Sequence, residues 1–283
     1  MENIYAGKVV VITGAAGVIC SEVARDLASR GAFVVLVGHL LIENVQKIAE
    51  EIRSKGGKCE CYICDVTNKE MVDALSNEII TKHGRCDVLI NGAGGNSAKA
   101  QPKITEFDPR ELENERPEEI VGIYNIDMNA FEGILKLNTM GTVYPLLSFA
   151  KYMIKQGGGN IINFASMNTY CPLTRNFAYA MAKAAVANLT QSFAAYFAKC
   201  NIRINAIAPG FVLNPRRQLI LGTVEDGLTK RGQDVIDHTP MGKFGTANDI
   251  CGCVRWLIDD EAAGFVTGIT VPVDGGFLTL SGV

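Results

Sequence analysis

Short β-branched runs alternate with amphipathic stretches of helical period through the first half of the chain. No other feature restricts the fold as strongly. KVVVIT (8–13), AFVVLV (32–37), KCECYIC (58–64) and DVLIN (87–91) read as strands. Between them lie predicted helices over Val18–Ser29, closed by Gly31; over Ile42–Lys55, closed by Gly56 and Gly57; and over Asn68–His83, capped by Asn68 and ended by Gly84. Continuously apolar strands joined by helices predict a parallel sheet covered on both faces. Three more units follow: a long helix around 129–155 with NIINFA (160–165), a helix carrying Tyr179 with IRINAIA (202–208), and a helix over 247–258 with GITVPV (268–273). The expectation is an α/β, doubly wound, seven-stranded parallel sheet with helices on both faces. With 283 residues and neither an internal repeat nor a low-complexity linker, a single domain suffices.

Composition removes several classes of function. A net charge of −3 gives no basic footprint, so no nucleic-acid partner is expected. No run of about 18 apolar residues marks a membrane span. The first strand begins almost at the N-terminus and leaves no room for a leader, so the expected location is the cytoplasm. Nine cysteines and only three histidines lack the paired spacing of a zinc site, and an odd count argues against a disulfide framework. They are expected to be reduced, mostly buried thiols, with Cys59 and Cys61 on the same side of their strand and no metal bound.

Two polar segments break the alternation, at about 95–127 and 211–244. The first carries three prolines and many carboxylates, and the second carries Arg216, Arg217, Lys230 and Arg231. Both follow the C-terminal end of a strand, where ligands bind in open α/β sheets, so both are expected to be substrate lids.

The chemistry concentrates in three places. TGAAGVIC (13–20) follows the first strand and opens the first helix, where free N–H groups and the helix dipole favour an anion. Ser166 ends the apolar run GNIINFAS at the crevice. Tyr179 and Lys183, four residues apart, project from one helix face. An ammonium beside a phenol favours the phenolate and prepares it to exchange a proton near neutral pH. A tyrosine and a lysine at this spacing are common on ordinary helices, so the motif gains meaning only from its surroundings.

Those surroundings resemble the short-chain dehydrogenase/reductase family and its Rossmann-type fold. Thr13 and Gly14 match the family's T-G-x-x-x-G-x-G loop, whereas Val18 and Cys20 replace its later glycines; Gly17 is expected to supply part of the missing backbone freedom. Asp65 in CDVT, Asn91-Gly92-Ala93-Gly94, Asn138 with Gly141, Pro209-Gly210 and Asp274-Gly275-Gly276 match further family motifs in order. The resemblance implies a NAD or NADP cofactor held by Thr13, Gly14, Gly17, Val18, Ile19, Gly38, His39, Asp65, Val66, Asn91, Gly92, Ala93, Gly94, Tyr179, Lys183, Pro209, Gly210 and Val212. At the end of the second strand Gly38-His39 stands where an acid would reject a 2′-phosphate, which tilts the expectation towards NADP. The implied catalytic set is Tyr179 as acid or base, Lys183 lowering its pKa and bonding the nicotinamide ribose, Ser166 donating to the carbonyl oxygen, and Asn138 in a proton relay. The last helix and GITVPV resemble the surfaces through which the family forms tetramers, implying a homotetramer.

NGAGGN, the insertion after it, SMN, PLT, PMGKFG and the Val18-Ile19-Cys20 variant together resemble the family's D-mannonate oxidoreductase, or D-fructuronate reductase, branch. The implied substrate is a small sugar acid. Its carboxylate and hydroxyls would need polar and cationic partners, and Asn96, Ser166, Asn168, Arg175 and Arg216 are the candidates. Two rivals stand beside this reading: a dehydrogenase of the same fold for gluconate-like acids or polyols, and a nucleotide-sensing protein without catalysis.

Overall fold

The computed structural model describes residues 4–223 and 227–280, with the side chains of 215–217 excepted. Seven parallel strands form one sheet: β1 (Val9–Thr13), β2 (Phe33–Gly38), β3 (Lys58–Ile63), β4 (Val88–Asn91), β5 (Gly159–Phe164), β6 (Ile202–Pro209) and, after a small antiparallel ladder of β7 (Gly222–Thr223) with β8 (Gly227–Leu228), β9 (Thr270–Val273). Their order in the sheet is β3-β2-β1-β4-β5-β6-β9, so the connection direction reverses between β1 and β4. That reversal opens the crevice in which ligands of doubly wound folds bind.

The strands alternate two buried faces. Val10 and Ile12 of β1 and Val34 and Leu36 of β2 pack with α1 (Val18–Ser29), α2 (Ile42–Ser54) and α8 (Ala247–Ile258). Val9 and Val11, Val35 and Val37 pack on the other face with α3 (Lys69–His83), α4 (Met128–Gln156) and α5 (Phe177–Phe197). Burial on both faces is the physical reason these strands carry no polar alternation. Cys59 and Cys61 do face the same side, each thiol lying against a carbonyl of α2, and all nine cysteines are unpaired.

Chain punctuation works as its chemistry requires. Asn68 caps α3 by accepting from the Met71 amide, and Gly84 ends it with φ 76°. The predicted helices at 18–29 and 247–258 match the observed bounds, and the other strand and helix ends shift by a residue or two.

The two polar segments have structure of their own. Residues 95–127 form three short 3-10 turns around Glu111, which is buried and accepts from the Tyr124 amide. Gly122 packs so closely that a Cβ there would lie 1.7 Å from a Glu111 carboxylate oxygen. The second segment contains α6 (Pro215–Leu221), the β7–β8 ladder and α7 (Lys230–Asp237), with Leu221, Val235 and Phe244 as a local core. Among the described residues no helix is long and apolar enough to cross a membrane.

Candidate active site

Where β1, β4 and β5 end, a cleft of about 230 Å³ is lined by Gly17, Val18, Ile19 and Cys20 at the start of α1 and by Ser166, Tyr179 and Lys183. Gly92, Gly94 and Gly95 of the loop after β4 and Pro209, Gly210 and Val212 at the end of β6 complete its lining.

The helix end of the cleft is shaped by the loop after β1. Gly14 carries the positive φ, 64°, and lies so close to the loop after β4 that a Cβ there would meet the Ala93 nitrogen at 2.7 Å. Gly17, by contrast, is an ordinary extended N-cap with φ −69°, so the freedom expected of it is not used; Gly14 alone makes the turn. Gly17 caps α1 without a side chain, and the first-turn amides of α1 have no carbonyl four residues back to bond. The hydroxyl of Thr13 accepts from the amides of Gly92 and Ala93, tying the β1 and β4 loops together.

Val18 and Cys20 are accommodated differently. Val18 sits at the first helical position, half exposed on the cleft wall. The Cys20 thiol fills the space above Gly92, where a Cβ on residue 92 would lie 2.1 Å from Sγ. The two departures from the family pattern, cysteine for glycine at 20 and glycine for asparagine at 92, therefore form one complementary exchange.

At the far end of β2, His39 is exposed. Burial works against ionisation of Asp65, yet hydrogen bonds from the Thr67 amide and hydroxyl, with His39 and Lys136 nearby, hold its carboxyl below the usual range. Val66 packs against Gly141 of α4, and Gly38 packs under Val45 and Ile63. Asn91, expected at the cofactor, turns its side chain into the sheet: it donates to Asn163, which donates to Thr190. This buried ladder leaves no sequence signal beyond the asparagines themselves. At the other end Gly210 rests on Asp274, close enough that a Cβ would meet its Cα at 2.6 Å.

The reactive wall is built from β5 and α5. Lys183 is buried, and its ammonium donates to the Phe164 carbonyl at 2.7 Å. Burial pushes its pKa down to about 8, against an opposing influence of Cys20, and burial pushes the Cys20 thiol up to about 12. The Lys183 nitrogen lies 5.6 Å from the centre of the Tyr179 ring. Asn138 is fully buried in α4 and clamps Gly95: its Oδ1 accepts the Gly95 amide and its Nδ2 donates to the Gly95 carbonyl and to Ile134.

The expected substrate ligands scatter. Asn96 is exposed, and its side-chain amide donates to Asn176 Oδ1 at 2.9 Å. Asn168, expected at the substrate, is buried, with both ends of its amide committed to Ser166 and Leu173. Arg175 has φ 68°, one of two non-glycine residues in the left-handed region among the described residues, and donates to the Lys103 carbonyl at 3.0 Å. The Arg216 side chain lies outside the described residues. Gly95, the Phe164 carbonyl and the proximity of Arg231 to Arg175 leave no mark in the sequence, since each depends on a contact between distant segments.

The sequence matches the short chain dehydrogenase family over residues 8–221. The chain belongs to that family and is an NAD(P)-dependent oxidoreductase acting on CH–OH groups. An uncharacterized oxidoreductase of Haemophilus influenzae is 42% identical over 98% of this chain and 95% of its own. The uncharacterized oxidoreductase UxuB of Bacillus subtilis is 38% identical over 100% of this chain and 98% of its own. A crystal structure from Haemophilus influenza, provisionally called a D-mannonate oxidoreductase and holding NAD, superposes with a TM-score of 0.91 at 40% identity, covering 100% of this chain and 98% of its own.

Proposed function

We propose that the enzyme reduces the ketone of D-fructuronate to D-mannonate and catalyses the reverse oxidation. The observation that carries this is the meeting of Ser166, Tyr179 and Lys183 in one cleft with the N-terminus of α1, whose Gly17 cap offers no side-chain hydrogen bond.

The cleft fits a dinucleotide. The glycines at 14, 92 and 94 let the loops after β1 and β4 pack tightly against each other, Cys20 and Asn138 beneath the cleft, and the first-turn amides of α1 suit an anion. Gly17, Val18 and Ile19 would hold the pyrophosphate, Asp65 and Val66 would flank the adenine, and Pro209, Gly210 and Val212 would flank the nicotinamide. When bound, that cofactor supplies the hydride donor or acceptor. Tyr179 gives a proton to the ketone oxygen in reduction and takes it back in oxidation. The Lys183 ammonium favours the phenolate form, and Ser166 donates to the oxygen on which negative charge develops. Asn138 fixes Gly95 at the cleft and belongs to the proton route from Lys183.

The sugar-acid assignment draws on the rim. Residues 95–127 act as a lid strapped to the start of α5 by Asn96 and Gln101 on Asn176 and by Arg175 on Lys103. Burial first, and then the charge of Arg175, holds the Arg231 guanidinium below its usual pKa, so two cations from separate segments share one neighbourhood. A substrate carboxylate relieves that repulsion, which a neutral polyol does not. His39 in place of an acid leaves the 2′-phosphate of NADP unrepelled, so both cofactors are accepted, NADP preferentially.

A panel of D-fructuronate, 5-keto-D-gluconate and D-xylulose, each with NADH and NADPH, tests this. The expected result is the highest kcat/KM for D-fructuronate, by about tenfold or more over the neutral ketose. A higher value for D-xylulose rejects the acid assignment, and a strong preference for NADH rejects the cofactor order.

A further inference from the structure

Ser166 caps the 3-10 turn Met167–Thr169, and one residue of that turn supplies two donors to its hydroxyl oxygen. The Asn168 amide N–H reaches Ser166 Oγ at 3.2 Å and the Asn168 side-chain Nδ2 reaches it at 3.3 Å. The orientation of the side-chain amide is fixed by its other end, because Asn168 Oδ1 accepts the Leu173 backbone N–H at 3.0 Å. Flipping the amide would set its NH2 group against that N–H and its oxygen against Ser166.

A serine hydroxyl has two lone pairs and one hydrogen. Both lone pairs of Ser166 receive donors from Asn168, so the hydroxyl proton is left to point elsewhere. Ser166 is buried except where it lines the cleft beside Tyr179. The turn itself is tied to the reactive helix, since the Thr169 hydroxyl donates to the Lys183 carbonyl at 3.0 Å.

We propose that Asn168 is a positioning residue that holds Ser166 as a hydrogen-bond donor aimed at the carbonyl oxygen of a bound ketone. The proposal rests on the reading of Ser166 as the donor to that oxygen. A donor already turned towards the developing charge needs no reorganisation when the reaction occurs. A serine with unfilled lone pairs would divide its time among other directions.

Asn168→Asp separates this role from simple support of the turn. Its carboxylate still accepts the Leu173 N–H, but it offers no N–H to Ser166 and draws the hydroxyl proton away from the cleft. Asn168→Ala removes one donor and keeps the backbone one. The probe is whichever of D-fructuronate, 5-keto-D-gluconate and D-xylulose the wild type reduces fastest with NADH. We expect kcat to fall about a hundredfold in Asn168→Asp and about tenfold in Asn168→Ala. The Kd for NADH, followed by its fluorescence, stays within about twofold because the cofactor wall is untouched. In a Ser166→Ala background, adding either Asn168 substitution should change kcat by less than about twofold, since the residue to be positioned is gone. Equal losses with and without Ser166 overturn the proposal, as does a fall in kcat that follows weakened NADH binding. A Ser166→Ala enzyme at the wild-type rate instead removes the reading of Ser166 on which the proposal stands, as does a wild type that reduces none of the three ketones. Should Asn168→Asp fail to fold, the Asn168→Ala cycle separates the same outcomes.

Discussion

At the scale of single residues, the exchange between positions 20 and 92 is the clearest case of two irregularities with one cause. Read along the chain, cysteine for glycine and glycine for asparagine are separate departures from the family's motifs. In space the Cys20 thiol occupies the volume that any side chain at 92 would need. Gly92→Asn alone should therefore force the buried thiol aside, costing about 1–3 kcal/mol and lowering the melting temperature by about 2–10 °C. Cys20→Gly together with Gly92→Asn should recover most of the loss. A double variant no more stable than Gly92→Asn, measured by thermal melting, contradicts the exchange. Ser166, Tyr179 and Lys183 were legible because their spacing places them on a strand end and one helix face. The inward turn of Asn168 was not, because it depends on the Leu173 amide five residues further on. Nor was the anchor of Lys183, a backbone carbonyl that has no letter in a sequence.

At the scale of elements, β5 and α5 work as a pair. The strand ends in the Phe164 carbonyl and Ser166, and the helix delivers Lys183 to that carbonyl. This arrangement has a cost. The folded pKa of Lys183, about 8, lies below the value near 10.4 of an unfolded chain. Below about pH 8 the ammonium is charged in both states, and its burial counts against folding. As the pH rises from about 8 towards 10.4 the folded chain gives up the proton first, stability grows, and the penalty disappears. At pH 7 that shift corresponds to a penalty of about 3 kcal/mol, the hydrogen bond to Phe164 included. Lys183→Met should thus stabilise the cofactor-free protein at pH 7 by about 1–3 kcal/mol while abolishing turnover. Thermal melts at pH 7 and pH 10 check this: the gain should shrink at pH 10, and a gain independent of pH contradicts it. Elements of this length were readable because caps such as Asn68 and Gly84 mark their ends and burial on both faces marks the strands. The two-residue strands β7 and β8 and the 3-10 turns of 95–127 are too short to carry a period, so their segments read only as polar connections.

At the scale of the whole molecule, the parallel sheet and its seven strands followed from the alternation of the sequence, and the crevice between β1 and β4 followed from the sheet order. How the two polar segments settle on the rim did not, because it depends on contacts such as Asn96 with Asn176, 80 residues apart. The outer edge of the sheet suggests assembly. β9 is an edge strand, and Phe265, wholly exposed, lies near it with Trp256 and Ile269 also open to solvent. Apolar groups beside an open edge favour pairing with another copy. We propose that this edge pairs with another copy, as the homotetramer implied by the family resemblance requires; light scattering should then give several times the 30.5 kDa chain mass, Phe265→Glu should lower it, and a wild-type mass of one chain rejects the pairing. Whether the cleft transfers hydride with Tyr179 handling the proton is decided by D-fructuronate-dependent loss of nicotinamide absorbance in wild type and Tyr179→Phe. The wild type should turn over, and the variant's rate should fall about a hundredfold to ten-thousandfold. Turnover by Tyr179→Phe at the wild-type rate would contradict this role of Tyr179.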